Sequence, residues 1–190
     1  MPVPDFSPGE VLTAAAMDQV GLWKVTAATV TAQTTLTVDN CFSANYENYR
    51  VLISMNGVSN NNILSLRFLD SAGSPLTTNY QAGGYGQDFT AGTTAFGGAF
   101  SSTTLQQIGY LPNSTSHGPM AIQIDIQNPF TSGLRTGLNG LYTGVASGTS
   151  FFGGAFFGFR SSAETARGLT FLNSAGTNMT GTVRVYGYRD

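Results

Sequence analysis

Two periodicities divide the chain. Along residues 1–23 apolar positions recur at three- and four-residue spacing, so that Leu12, Ala16, Val20 and Trp23 fall on one side of a helix. Ser7-Pro8-Gly9-Glu10 reads as a capping box with Pro8 at the first helical position. Thr13, ahead of Ala14-Ala15-Ala16, is a second start, and Gly21 is a stop. The pattern predicts one short helix around residues 13–20. A helix of that length is not stable alone, so it docks, either on its own domain or on a neighbouring chain.

From Val25 onward the period becomes two. Tyr49, Val51, Ile53 and Met55 face one way while Arg50, Leu52 and Ser54 face the other. Thr35-Leu36-Thr37-Val38, Ile63 to Phe68, Leu169 to Leu172 and Thr182 to Tyr188 alternate in the same manner. Ala121 to Gln127 is the cleanest case, with Ile122, Ile124 and Ile126 on one face. Asn56-Gly57 reads as a turn and Asp70-Ser71-Ala72-Gly73 as another. Short strands separated by turn residues predict an all-β fold, a sandwich or a barrel. The expected division is a segment over residues 1–24, containing the helix, and a strand-rich domain over residues 25–190.

Two stretches break the alternation. Residues 78–103 interleave Gly83, Gly84, Gly86, Gly92, Gly97 and Gly98 with Tyr80, Tyr85, Phe89, Phe96 and Phe100, and Phe151 to Phe159 repeats the style. Glycines inside strands mark bulges or close backbone approach, and aromatic rings beside them cover the gap. Such stretches form either an irregular sandwich rim or a binding loop.

Composition narrows the functions available. Only 9% of the 190 residues are charged, against about 25% in an ordinary domain. Uncharged polar groups take their place: 24 Thr, 17 Ser, 13 Asn and 8 Gln, beside 24 Gly. A net charge of −2 and a single lysine, Lys24, argue against phosphate-backbone recognition, so no nucleic-acid partner is expected. No apolar stretch approaches the roughly 18 residues of a spanning helix, so no membrane insertion is expected. Cys41 is the sole cysteine, which excludes an intrachain disulfide and reads as a small buried hydrophobe.

Catalytic constellations do not emerge, and neither an enzymatic activity nor a cofactor is expected. His117 is the only histidine, sits beside Gly118-Pro119, and has no nucleophile elbow to serve. A zinc site needs several Cys or His ligands. Asp88, Asp125 and Glu164 are the carboxylates from which a glycosidase pair would be drawn, but nothing in the spacing brings them together; Asp125, on the polar side of its strand, reads as solvated. What remains is a surface of hydroxyls, amides and tyrosines, the composition of adaptable recognition surfaces. Candidate receptor contacts are Tyr80, Tyr85, Tyr110, Asn113 and His117. A surface with few ions also suits permanent assembly, because burying neutral groups avoids the desolvation cost of charges.

Three stretches carry a resemblance. Phe6-Ser7-Pro8-Gly9-Glu10-Val11-Leu12-Thr13-Ala14-Ala15-Ala16-Met17 resembles the start of many bacteriophage tail and fibre proteins, with Asp18 where Asn is usual. Tyr46 to Ile53 followed by Leu64 to Phe68 resembles early strands of a phage β-sandwich, and Gly181 to Tyr188 is similar to its closing strand. The match is piecewise and covers about a third of the chain. It implies a jelly-roll-like antiparallel sandwich over residues 25–190, with residues 1–24 as an attachment segment, in a virion structural protein, a tail-fibre or tail-tip homotrimer assembled in the host cytoplasm. Phe6, Pro8, Val11, Leu12, Met17, Val20 and Trp23 would attach it to other virion proteins, and the sandwich would contact a host-surface glycan. The alternatives are a capsid decoration or head-fibre protein and, in another class, a carbohydrate-binding module or glycan-degrading enzyme.

Overall fold

Alternation of apolar and polar side chains produces twelve antiparallel strands in the computed structural model, which describes residues 21–57, 62–90, 92–100, 106–111, 118–145 and 151–188. One layer is built on β1 (Leu22–Gln33), β3 (Asn48–Gly57), β8 (Met120–Gln127) and β12 (Met179–Tyr188), in the order β1-β12-β3-β8. The other layer comprises β2 (Thr35–Val38), β4 (Asn62–Leu69), β7 (Gln106–Leu111) and β11 (Gly168–Asn173), in the order β2-β11-β4-β7. The chain crosses between layers at β1–β2, β2–β3, β3–β4, β4–β5, β6–β7, β7–β8, β10–β11 and β11–β12. This is the double Greek-key winding of a jelly roll, as the resemblance implied. Two further pairs, β5 (Tyr80–Asp88) with β6 (Thr93–Phe100) and β9 (Gly137–Val145) with β10 (Phe151–Arg160), extend the first layer beyond β8 in the order β9-β10-β5-β6.

The core lies between the layers. Tyr49, Val51, Ile53 and Met55 of β3 and Ile122, Ile124 and Ile126 of β8 meet Leu64, Leu66 and Phe68 of β4 and Phe171 of β11, all buried. Phe42 meets Tyr49 edge-on at 4.7 Å between ring centres. The Tyr49 hydroxyl accepts from the Ser43 amide at 2.7 Å and donates to the Ser43 carbonyl at 2.9 Å, so its polar end is satisfied inside the core. Cys41 is buried, and desolvation raises its thiol pKa to about 12, in keeping with an inert packing residue.

Two expectations are corrected. Asn56-Gly57 is not a hairpin turn: both residues belong to β3 and pair with Thr180 and Met179 of β12, because the next strand lies in the other layer. The sandwich also begins earlier than residue 25. Leu22, Trp23 and Lys24 are strand residues paired with Tyr188, Gly187 and Tyr186, so the sheet's hydrogen bonds claim the end of the expected attachment segment. Gly21, just before β1, holds φ at +120°, a conformation that suits glycine. The predicted helix at 13–20 lies outside the described residues.

Candidate functional site

The extension of the first layer creates the site. In β10 the alternating residues point to opposite faces, and four of its five aromatic residues, all but Phe151, stand opposite a glycine on a neighbouring strand. Phe156 faces the core and lies across Gly140, its direct partner in β9. Phe157 faces outward over its partner Gly83 in β5, where an added methyl would stand 2.6 Å from the ring. Phe89 covers Gly153 in the same manner, at 2.8 Å. Rings laid over glycine shield backbone that has no side chain of its own, which is why these stretches form strands despite their glycine content.

The outer face of this extension is apolar and wet. Leu141 and Phe157 are 61% and 60% exposed, and Tyr85, Phe89, Phe151 and Phe159 are exposed with them. Beside this patch a trough of about 740 Å³ crosses the strands. Its floor is a register row of small residues, Ser54, Ala121, Thr143 and Gly153, on four neighbouring strands. Leu52, Gln123, Leu141 and Tyr85 bound it on one side, Phe89 closes one end, and Arg184 of β12 stands at the other.

Lower on the same face lies the polar cluster. Arg50 donates to Asp125 from Nε at 2.8 Å and Nη2 at 2.9 Å, and the Tyr188 hydroxyl donates to Asp125 at 3.1 Å. Asp125 is therefore held by partners rather than simply solvated, which corrects the sequence reading. Desolvation opposes its charge, but the Arg50 and Tyr188 bonds more than offset that, and its carboxyl lies below the ordinary carboxylate value. A depressed native pKa stabilises the fold above the unfolded value of about 3.9 and ceases to do so as pH falls through the native value. Thermal midpoints measured below about pH 4 should accordingly fall less steeply in Asp125→Asn than in the parent. Equal slopes would show that the pair contributes nothing to acid sensitivity. Asp39, bound by Arg167 on the small-sheet side, is lowered by that bond and keeps some slope in the variant.

The expected contacts do not converge. Tyr80 is buried: its hydroxyl accepts from the Phe68 amide at 2.8 Å and donates to the Leu76 carbonyl at 3.1 Å, while its ring stacks on Phe68. A glycan cannot reach it, and its assignment as a receptor contact is withdrawn. Tyr85 is exposed at the trough. Tyr110 stands on β7 opposite Ile63; its side chain lies outside the described residues, as do Asn113 and His117. Trp23 is half-buried on β1, with its indole N–H buried and without an acceptor among the described residues. Phe6, Pro8, Val11, Leu12, Met17 and Val20 lie outside them. Of the carboxylates, Asp88 accepts from the Thr90 amide at 2.9 Å and Glu164 pairs with Arg160. Among the described residues no three His, Cys, Asp or Glu side chains are grouped to hold a metal. Sequence reasoning missed the trough and its flanking patch. The signal was present in the aromatic-glycine stretches, but it becomes visible only across strands.

No family model, curated protein or solved structure matches the chain.

Proposed function

We propose that the chain is a structural protein of a tailed bacteriophage virion, a tail-fibre or tail-tip component that assembles as a homotrimer and works by association rather than catalysis. The observation that carries the assembly role is the outer face of β9, β10 and β5. Monomers rarely leave a contiguous apolar patch in water, and each Leu or Phe gains about 1.5–3 kcal/mol on burial. Little charge has to be desolvated with it, because the patch itself bears none. The virion setting is supported by the likeness of Phe6–Met17, Tyr46–Ile53 and Gly181–Tyr188 to phage proteins and by the jelly roll, an architecture that viral capsid and lectin domains use. A fold alone does not assign a function. Contact with a host glycan rests on the resemblance and on Tyr85, the one exposed residue among the described candidates.

Sedimentation should find a trimer, and Leu141→Asp or Phe157→Asp should weaken association by at least about tenfold, equivalent to about 1.4 kcal/mol, because each places a carboxylate in the buried patch. A parent that sediments as a monomer at every concentration would remove the assembly role. Antibody labelling of particles in the electron microscope would place the chain: label on the tail supports the proposal, label on the capsid replaces it with a decoration role, and unlabelled particles remove the virion reading.

A further inference from the structure

The outward residues of β10 are graded by size. Phe151, Gly153, Ala155, Phe157 and Phe159 alternate onto the outer face, and after Phe151 a small pair precedes a large pair. Gly153 lies in the trough floor opposite Thr143, and Ala155 stands opposite Leu141. Phe157 comes one register row later, opposite Asn139, and with Phe159 forms an exposed ridge. Ridge and trough floor are therefore four residues apart along the strands, roughly 14 Å at about 3.4 Å per residue. One face carries a ridge and a hollow side by side.

We infer that the trough is the socket for the ridge of a second copy: Phe157 of each chain seats between Thr143 and the Phe89 ring of the next, around a three-fold axis that runs across the strands. Contacts in a closed three-fold ring are heterologous, so each joins two different flanks of one face. Here the two flanks complement one another in shape. Leu141 lies in the row between them, 61% exposed, and turns toward the axis. The area is sufficient. Tyr85, Phe89, Phe151 and Phe157 are each more than half exposed, and with aromatic side chains of about 150–250 Å² these four alone offer roughly 400 Å². Leu141 and the trough lining add to that, against the roughly 800 Å² that a stable interface takes from each partner. Charge agrees with shape. Arg184, at the far end, is the only charged residue among the described lining residues, so a neutral ridge enters without stripping water from an ion.

The inference rests on the assembly reading of this face and does not need the virion setting. Thr143→Lys, at an exposed strand position, should weaken trimer formation at least about tenfold, because it buries an unpaired ammonium in the socket. The chain carrying both Thr143→Lys and Phe157→Asp should associate several-fold more tightly than either single variant, since each carboxylate then meets an ammonium of the next copy. The full chain carrying Phe157→Cys with Thr143→Cys should oxidise to a covalent trimer. Within one chain the two positions stand too far apart to link, because a disulfide needs Cα atoms within about 7 Å. Cys41, buried and with its thiol protonated, does not compete. A covalent dimer, the absence of any link, or no recovery from the charge pair would each overturn the assignment. Maleimide labelling of Thr143→Cys tests for another occupant: the position should be shielded in the trimer and open in the monomer obtained with Leu141→Asp at dilution. Shielding in that monomer would mean that the trough is covered from within its own chain, which also overturns the assignment. Sedimentation separates the two proposals: a parent that is monomeric at every concentration removes the assembly role, and a parent trimer indifferent to Thr143→Lys removes the socket alone.

Discussion

Phe156→Ala is expected to cost about 3–5 kcal/mol of folding stability, one of the largest single losses in the molecule. The ring is 2% exposed and points into the core from β10. Its two cross-strand partners are Gly140 in β9 and Gly84 in β5. Most truncated core residues are partly compensated when neighbouring side chains relax into the space, but here neither partner has one. The cavity stays open, which places the loss toward the upper end of the range. Gly140→Ala tests the same contact from the other side, since its methyl would collide with the Phe156 ring and the Gln123 carbonyl; overpacking of this kind costs about 1–3 kcal/mol or more. Phe157→Ala, one residue along but facing solvent, should change stability by less than about 1 kcal/mol and act on association instead. Urea midpoints decide the matter. A Phe156→Ala loss under about 2 kcal/mol would mean that the sheets close over the gap, and equal losses at Phe156 and Phe157 would contradict the facing of β10.

The same strand shows what the sequence made legible. Where one strand carries its own alternation, as at Ile122, Ile124 and Ile126 or at Val183 and Val185, facing can be read directly, and these residues are buried as expected. In β5 and β10 apolar cover is divided between strands, a ring on one and a glycine on the next, so neither stretch alternates convincingly alone. β1 was harder to bound for another reason: Thr- and Ala-rich, it carries register shifts between Lys24 and Thr26 and between Val30 and Gln33, which interrupt the period. Parity still had information to give. Tyr80 and Tyr85 are five residues apart in one regular strand, and an odd separation places them on opposite faces. Both cannot be surface contacts on one sheet, and the structure buries Tyr80 and exposes Tyr85. The trough, by contrast, needs the order β12-β3-β8-β9-β10-β5, which local pattern does not contain.

Parity also places Arg160 four residues beyond Phe156, on the core face, and it is 2% exposed. Its Nη1 and Nη2 lie 3.1 Å from the Glu164 carboxylate, its guanidinium stands 5.5 Å from the centre of the Tyr80 ring, and its Nε has no acceptor among the described residues. A buried cation with an incomplete set of partners contributes less through its charge than through the volume it fills. Arg160→Ala removes both and is expected to cost about 2–5 kcal/mol through the cavity beneath Tyr80. Arg160→Met keeps most of the volume, discards the desolvated charge, and leaves Glu164, half exposed, to water. It should match the parent within about 1 kcal/mol or exceed it. Glu164→Gln falls between the two, since it leaves the buried guanidinium facing a neutral amide, with solvent at the rim offsetting part of the loss. If packing dominates, denaturation midpoints descend from Arg160→Met through Glu164→Gln to Arg160→Ala. If Arg160→Met proves as damaging as Arg160→Ala, the ion pair itself holds the end of β10, and the buried guanidinium contributes through its charge rather than its volume.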